Sequence, residues 1–176
     1  NFEGTLTGNH VDVTLGAAKK NYTTGTRTEK VDITGVLTSS TTTANKAEGP
    51  NFTFPSTSIK LVSATIAGEA GEVSFLNNAN VETVVVSANS LSVDFTGATS
   101  LISATVSGDT RGDIDFAGAT SLSSVTLSGA ARDVTLSGNT SLTEISMTGS
   151  ANQVILTGAA ILTSADLEYT TATEVN

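Results

Sequence analysis

"GNTSLTEISMTG", residues 138–149, restates "GATSLSSVTLSG" at 118–129 and "GATSLISATVSG" at 97–108. Taking Leu61, Val81, Leu101, Leu122, Leu142 and Leu162 as unit starts gives spacings of 20, 20, 21, 20 and 20 residues. Apolar residues recur three and five positions after each start, and a small residue usually follows at seven, as in Ala104, Val106, Gly108 and Ile145, Met147, Gly149. A second apolar pair stands at twelve and fourteen: Val73 and Phe75, Val93 and Phe95, Val134 and Leu136, Val154 and Leu156. Ile114 and Phe116 join these columns once one inserted residue is allowed. Alternation over a few residues, broken by Gly, is strand periodicity.

Each unit therefore reads as two short strands and two turns, with Gly97, Gly118, Gly138 and Gly158 closing each unit at a turn, where positive φ is often needed. Such a unit buries its apolar face only by stacking on a neighbour. The prediction is an all-β parallel β-solenoid forming a single domain over 1–176. It has about eight coils of about 20 residues, two strands per coil, and at about 4.8 Å per coil a length of about 40 Å. Residues 61–176 form the regular part. In residues 1–60, Gly4, Leu6, Gly8, Val13 and Leu15 fit a coil that starts at Asn1. Val31, Ile33 and Gly35, then Phe52 and Phe54, fit a second. Two polar insertions interrupt them, "AAKKNYTTGTR" (17–27) and "TSSTTTANKAEGP" (38–50), and read as projecting loops.

Composition narrows the function classes. The chain has no Cys, so it has neither a disulfide framework nor a zinc–thiolate site. Its net charge of −9 argues against nucleic acid, which needs a basic face. No apolar run is long enough to span a membrane, and no signal-peptide pattern opens the chain. Residues 1–60 hold six cations against five acids, a balance of +1, and residues 61–176 hold two cations against twelve acids, a balance of −10.

"VTLSGNTSL" (134–142) resembles the L-x-L-x-x-N-x-L core of short leucine-rich repeats of prokaryotic surface proteins, built from two nested ten-residue halves. Asn stands at only some of the expected turns, and Ala70, Ser90, Ala131 and Ala151 replace the leading Leu of the second half, so a general parallel β-solenoid fits equally. The resemblance implies binding or scaffolding at a cell surface.

Several residue sets are candidates for chemistry. Phe54, Phe75, Phe95 and Phe116 share one inward column and read as a stacked core ladder. Outward positions of the first strand form a hydroxyl face: Thr5, Thr7, Thr65, Ser87, Thr105, Ser107, Thr126, Ser128, Ser146 and Thr148, with Ala67 and Val85 interrupting it. Such a face suits ice or a glycan, although Thr also favours strands for its own sake. Asp94, Asp113, Asp115 and Asp133 cluster on the other sheet, where calcium is the alternative to relief by Arg111 and Arg132. Arg111-Gly112-Asp113 is an integrin-type tripeptide at a turn. His10 stands without a second His or a Cys and heads no metal site or triad. Asn21, Asn51 and Asn139 head N-x-Ser/Thr sequons and are candidate glycosylation acceptors.

No capping helix is evident at either end, and exposed solenoid ends invite stacking. The expected function is a non-enzymatic extracellular structural protein, either a self-assembling head-to-tail filament subunit or the shaft of a surface adhesin. The alternative is a binding module using the hydroxyl face or the Asp cluster. The partners are then copies of the chain or adjacent repeats, or a glycan or cell surface, with no resident cofactor other than calcium in the alternative. Leu6, Val13, Leu15, Leu162, Leu167 and Tyr169 are the candidate junction residues.

Overall fold

A computed structural model describes residues 12–15, 22–23, 30–33, 49, 51–159, 161–166 and 174–175. Strands alternate between two parallel sheets. The first contains β1 (Asp12–Leu15), β3 (Lys30–Ile33), β5 (Ser63–Ile66), β7 (Thr83–Val86), β9 (Ser103–Val106), β11 (Ser124–Leu127), β13 (Glu144–Met147) and β15 (Ser164–Asp166), in that spatial order. The second contains β2 (Tyr22–Thr23), β4 (Phe52–Thr53), β6 (Glu72–Ser74), β8 (Ser92–Asp94), β10 (Ile114–Asp115), β12 (Asp133–Thr135), β14 (Gln153–Ile155) and β16 (Glu174–Val175). This is a parallel β-solenoid. About six turns lie in the nearly continuous stretch 51–166, fewer than the eight coils predicted. Strands on either side of it bring each sheet to eight.

The repeat columns are the core. Leu61, Val81, Leu101, Leu122 and Leu142 are fully buried, as are Val73, Val134 and Val154 of the second sheet. Ala64, Val84, Ala104, Val125 and Ile145 form one inward column of small and β-branched residues, in register with one another through β5 to β13. Each buried aliphatic side chain contributes about 1.5–3 kcal/mol. The Phe ladder forms as the spacing predicts. Ring centroids are 4.3 Å apart for Phe54 and Phe75, 5.2 Å for Phe75 and Phe95, and 4.8 Å for Phe95 and Phe116, with interplanar angles of 8–14°.

One turn column fixes the chain reversal after each second-sheet strand. Gly97, Gly118, Gly138 and Gly158 have φ of 69–85°, and Asn77 holds the same column at φ 55°. Replacing Gly118 with Ala puts a Cβ into left-handed backbone and is expected to cost about 1–2 kcal/mol. Gly118→Asn, which copies Asn77, is expected to cost less. Urea titration of the two variants compares them directly.

Arg111 is the inserted residue of the 21-residue unit. Thr110 bridges Ser90, and Gly112 N donates to Leu91 O (2.8 Å), so the ladder resumes one residue later.

The beginning of the chain differs from the sequence reading in two respects. Val13 and Leu15 do not form a second-sheet strand. They lie in β1 of the first sheet, in register with Val31 and Ile33. Tyr22–Thr23, inside the expected loop 17–27, is strand β2 and pairs with Phe52–Thr53. An alternating V-x-L looks the same in either strand of a coil, and the insertions hide its phase.

Candidate functional site

Three surfaces carry the candidate residues. The first is the outer face of the first sheet. Thr65, Val85, Thr105, Thr126 and Ser146 are register partners in one outward column; the backbone register continues to Asp32 and Thr14 at one end and to Asp166 at the other. Ser87, Ser107, Ser128 and Thr148 follow two positions later and are exposed. Thr5 and Thr7 lie outside the described residues. The sequence reading missed a further outward column, Ser63, Thr83, Ser103, Ser124, Glu144 and Ser164. Its parity was legible, because it lies two residues before the recognised column. Hydroxyls also tie the coils together at the strand entry. Ser123 donates to Ile102 O (3.0 Å), Thr143 to Ser123 O (3.0 Å) and Thr163 to Thr143 O (2.9 Å). Bonded to backbone, these three serve the fold rather than a ligand.

The second surface is the acidic face of the second sheet. Asp94 and Asp115 are register partners on adjacent strands. Each is occupied locally: Asp94 Oδ1 accepts from Thr96 N and Asp115 Oδ1 from Ala117 N, both at 2.8 Å. Asp113 is held by Arg132, whose Nε donates to Oδ1 at 2.8 Å and whose Nη2 contacts Oδ2. Asp133 Oδ2 lies 3.5 Å from the same Nε. The hydrogen bond from Arg132 to Asp113, reinforced by the Asp113 charge, raises the guanidinium pKa above its ordinary value. Among the described residues no three acidic or imidazole side chains converge on a point that a cation would fill. Each of the four aspartates thus has a local partner, a backbone N–H for Asp94 and Asp115 and Arg132 for Asp113 and Asp133. The same pairing ties up the acid of Arg111-Gly112-Asp113, so a receptor reading that carboxylate would first have to displace Arg132.

Because both Asp94 and Asp115 act as acceptors for backbone N–H groups, Asn at both positions keeps the caps and removes the like-charge contact. The double variant Asp94→Asn/Asp115→Asn is expected to gain about 0.2–1 kcal/mol. A loss of stability in thermal unfolding would show that the charges are needed. A melting temperature that is the same in calcium and in EDTA is expected for the parent chain.

The third surface is the end formed by the last described coil. Leu156 and Leu162, in columns that are otherwise buried, are only partly covered. Ala165, the register partner of Ile145, is exposed, and Ile161 is 49% exposed. Val13 and Leu15 lie on β1, the edge strand at the opposite end. Leu6, Leu167, Tyr169, His10 and Asn21 lie outside the described residues.

The sequons separate. Asn51 is half-buried and its Oδ1 accepts from Glu72 N (2.8 Å). Asn139 is fully buried, and its Nδ2 donates to Phe116 O (2.8 Å) and Ala119 O (3.0 Å). A glycan on Asn139 would exclude the folded coil, so that acceptor is withdrawn. Its amide is a structural group that a sequon pattern cannot distinguish from a surface one.

No family model, curated protein or solved structure matches the chain.

Proposed function

We propose that the chain is a non-enzymatic structural element of an extracellular surface, a stiff segment whose repeat number sets its length, acting as a filament subunit or an adhesin shaft. The observation that supports this is the unbroken register: every strand in both sheets pairs with the equivalent strand of the coil before or after it. A fold of this kind gains length by adding units without altering its cross-section. The surface location rests on the resemblance to repeats of prokaryotic surface proteins. The test is insertion of a second copy of residues 81–121, two units, followed by small-angle scattering. The expected result is a rod longer by about 10 Å with the same cross-section. A compact or unfolded product would sink the reading.

The three-column hydroxyl face favours a second reading, a binding module for ice or an uncharged glycan. Ice shaping by the parent chain, lost when Thr105 and Thr126 are replaced by Lys, would replace the first reading.

A further inference from the structure

We propose that Arg111-Gly112-Asp113 is a docking site for a receptor that carries a divalent cation beside an acidic pocket. The cation takes the Asp113 carboxylate and the pocket takes the Arg111 guanidinium. This is an activity beyond the structural reading above. Arg111 is the residue by which its unit exceeds its neighbours, and the coils on either side close the same corner without one. Its side chain is exposed. Among the described residues Arg132 forms ion pairs and Arg111 forms none. An exposed guanidinium that neutralises no neighbouring acid is available to a partner. Gly112 is different, because the fold itself requires it: a Cβ there would lie 2.5 Å from Leu91 O.

The backbone holds the tripeptide in place. Arg111 N donates to Ser90 O (3.0 Å) and Gly112 N to Leu91 O (2.8 Å), while Gly112 O accepts from Arg132 N (2.9 Å) and Asp113 O from Val93 N (3.0 Å). A partner therefore meets a segment already ordered and does not have to freeze a mobile loop.

The carboxylate is positioned but not sealed. The Asp113 side chain is 43% exposed, and the Arg132 side chain that grips it is 57% exposed. Exposed ion pairs hold weakly. A divalent cation on the partner is a stronger and harder charge for carboxylate oxygens than a guanidinium. Arg132 also has somewhere to go, since its Nε already lies 3.5 Å from Asp133 Oδ2. Binding thus hands Arg132 from two aspartates to one and leaves no cation stranded.

The test is surface plasmon resonance of the 1–176 chain on a purified integrin ectodomain that takes Arg-Gly-Asp peptides, in magnesium, with circular dichroism to establish that each variant is folded. The parent is expected to bind saturably, to be displaced by a linear Arg-Gly-Asp peptide and to be released by EDTA. Arg111→Ala and Asp113→Glu are each expected to weaken binding about tenfold or more. Asp113→Glu keeps a carboxylate for Arg132 but moves it by one methylene, so a charge needed only for folding would not register the change. Arg132→Gln releases Asp113 and is expected to tighten binding. A parent that shows no saturable binding overturns the proposal, whatever the variants do. So does binding that survives EDTA, binding that Arg111→Ala leaves unchanged, or an Arg132→Gln variant that binds more weakly than the parent. None of these outcomes touches the rod reading, which the inserted-unit experiment decides separately.

Discussion

Phe95→Ala is expected to lower the unfolding free energy by about 3–5 kcal/mol, the range for a fully buried Phe truncated to Ala. Phe95 stacks on Phe75 on one side and Phe116 on the other, so truncation breaks two ring contacts and opens a cavity at mid-rod. For a chain of this length the melting temperature falls by about 2–4 °C per kcal/mol, hence by about 6–20 °C. A coil bonds only to its neighbours, so the cavity cannot be closed by the distant core. Phe95→Leu is expected to cost about 1–2 kcal/mol, because Leu136 and Leu156 already occupy the same column in later coils. Equal losses for the two variants in denaturant unfolding would show that the ring stack adds nothing to the aliphatic packing.

The second large effect lies at Asn78. This fully buried amide donates to Phe54 O (3.1 Å) and Pro55 O (3.2 Å) and accepts from Asn80 N and Val81 N (both 3.1 Å). Asn78→Ala removes all four bonds. Since an orphaned buried group costs about 1–3 kcal/mol, and the turn can re-form part of the pattern as it does around Ala98, the expected loss is about 2–4 kcal/mol. Asn139 occupies the equivalent turn but differs in one respect: its Oδ1 is buried with no hydrogen-bond partner. Asn139→Ala gives up two donated bonds and also removes that unsatisfied oxygen. Its expected cost is therefore about 1 kcal/mol or less. Thermal unfolding of the two variants side by side tests the difference, and a larger loss at Asn139 would contradict this account.

The regular coils were legible because their phase never slips. From Leu61 to Leu156 a single count of twenty places every core residue, and the inserted Arg111 cost the reading one residue of allowance. Before Leu61 the count fails. Eighteen residues separate β3 from β4 where regular coils have five, and no periodicity crosses them. Val13 and Leu15 were thus recognised as apolar and alternating but placed in the wrong sheet. The surfaces were less legible than the core. Apolar columns announce themselves by exclusion from water, whereas a Ser has the same letter whether it faces solvent, bonds a carbonyl as Ser123 does, or sits buried as Ser90 does against Thr110 (3.2 Å). Asn139 illustrates the same ambiguity, since the triplet that marks an accessible acceptor here encodes a core hydrogen bond.

The largest departure from the twenty-residue count, the stretch 34–51, and the added Arg111 fall in the same corner, between the first-sheet strand and the second. The ladders on both sides keep their register regardless: β3 still pairs with β5 and β4 with β6. From Phe75 onward, where its length is constant, the opposite corner is held by left-handed Gly and Asn residues and by buried amides. One edge of the rod is therefore a locked hinge line and the other an open seam. Foreign sequence spliced into that seam, at Arg111 or at its equivalents in other coils, would hang from the rod as cargo at a fixed pitch, and the spine behind it would not register its presence.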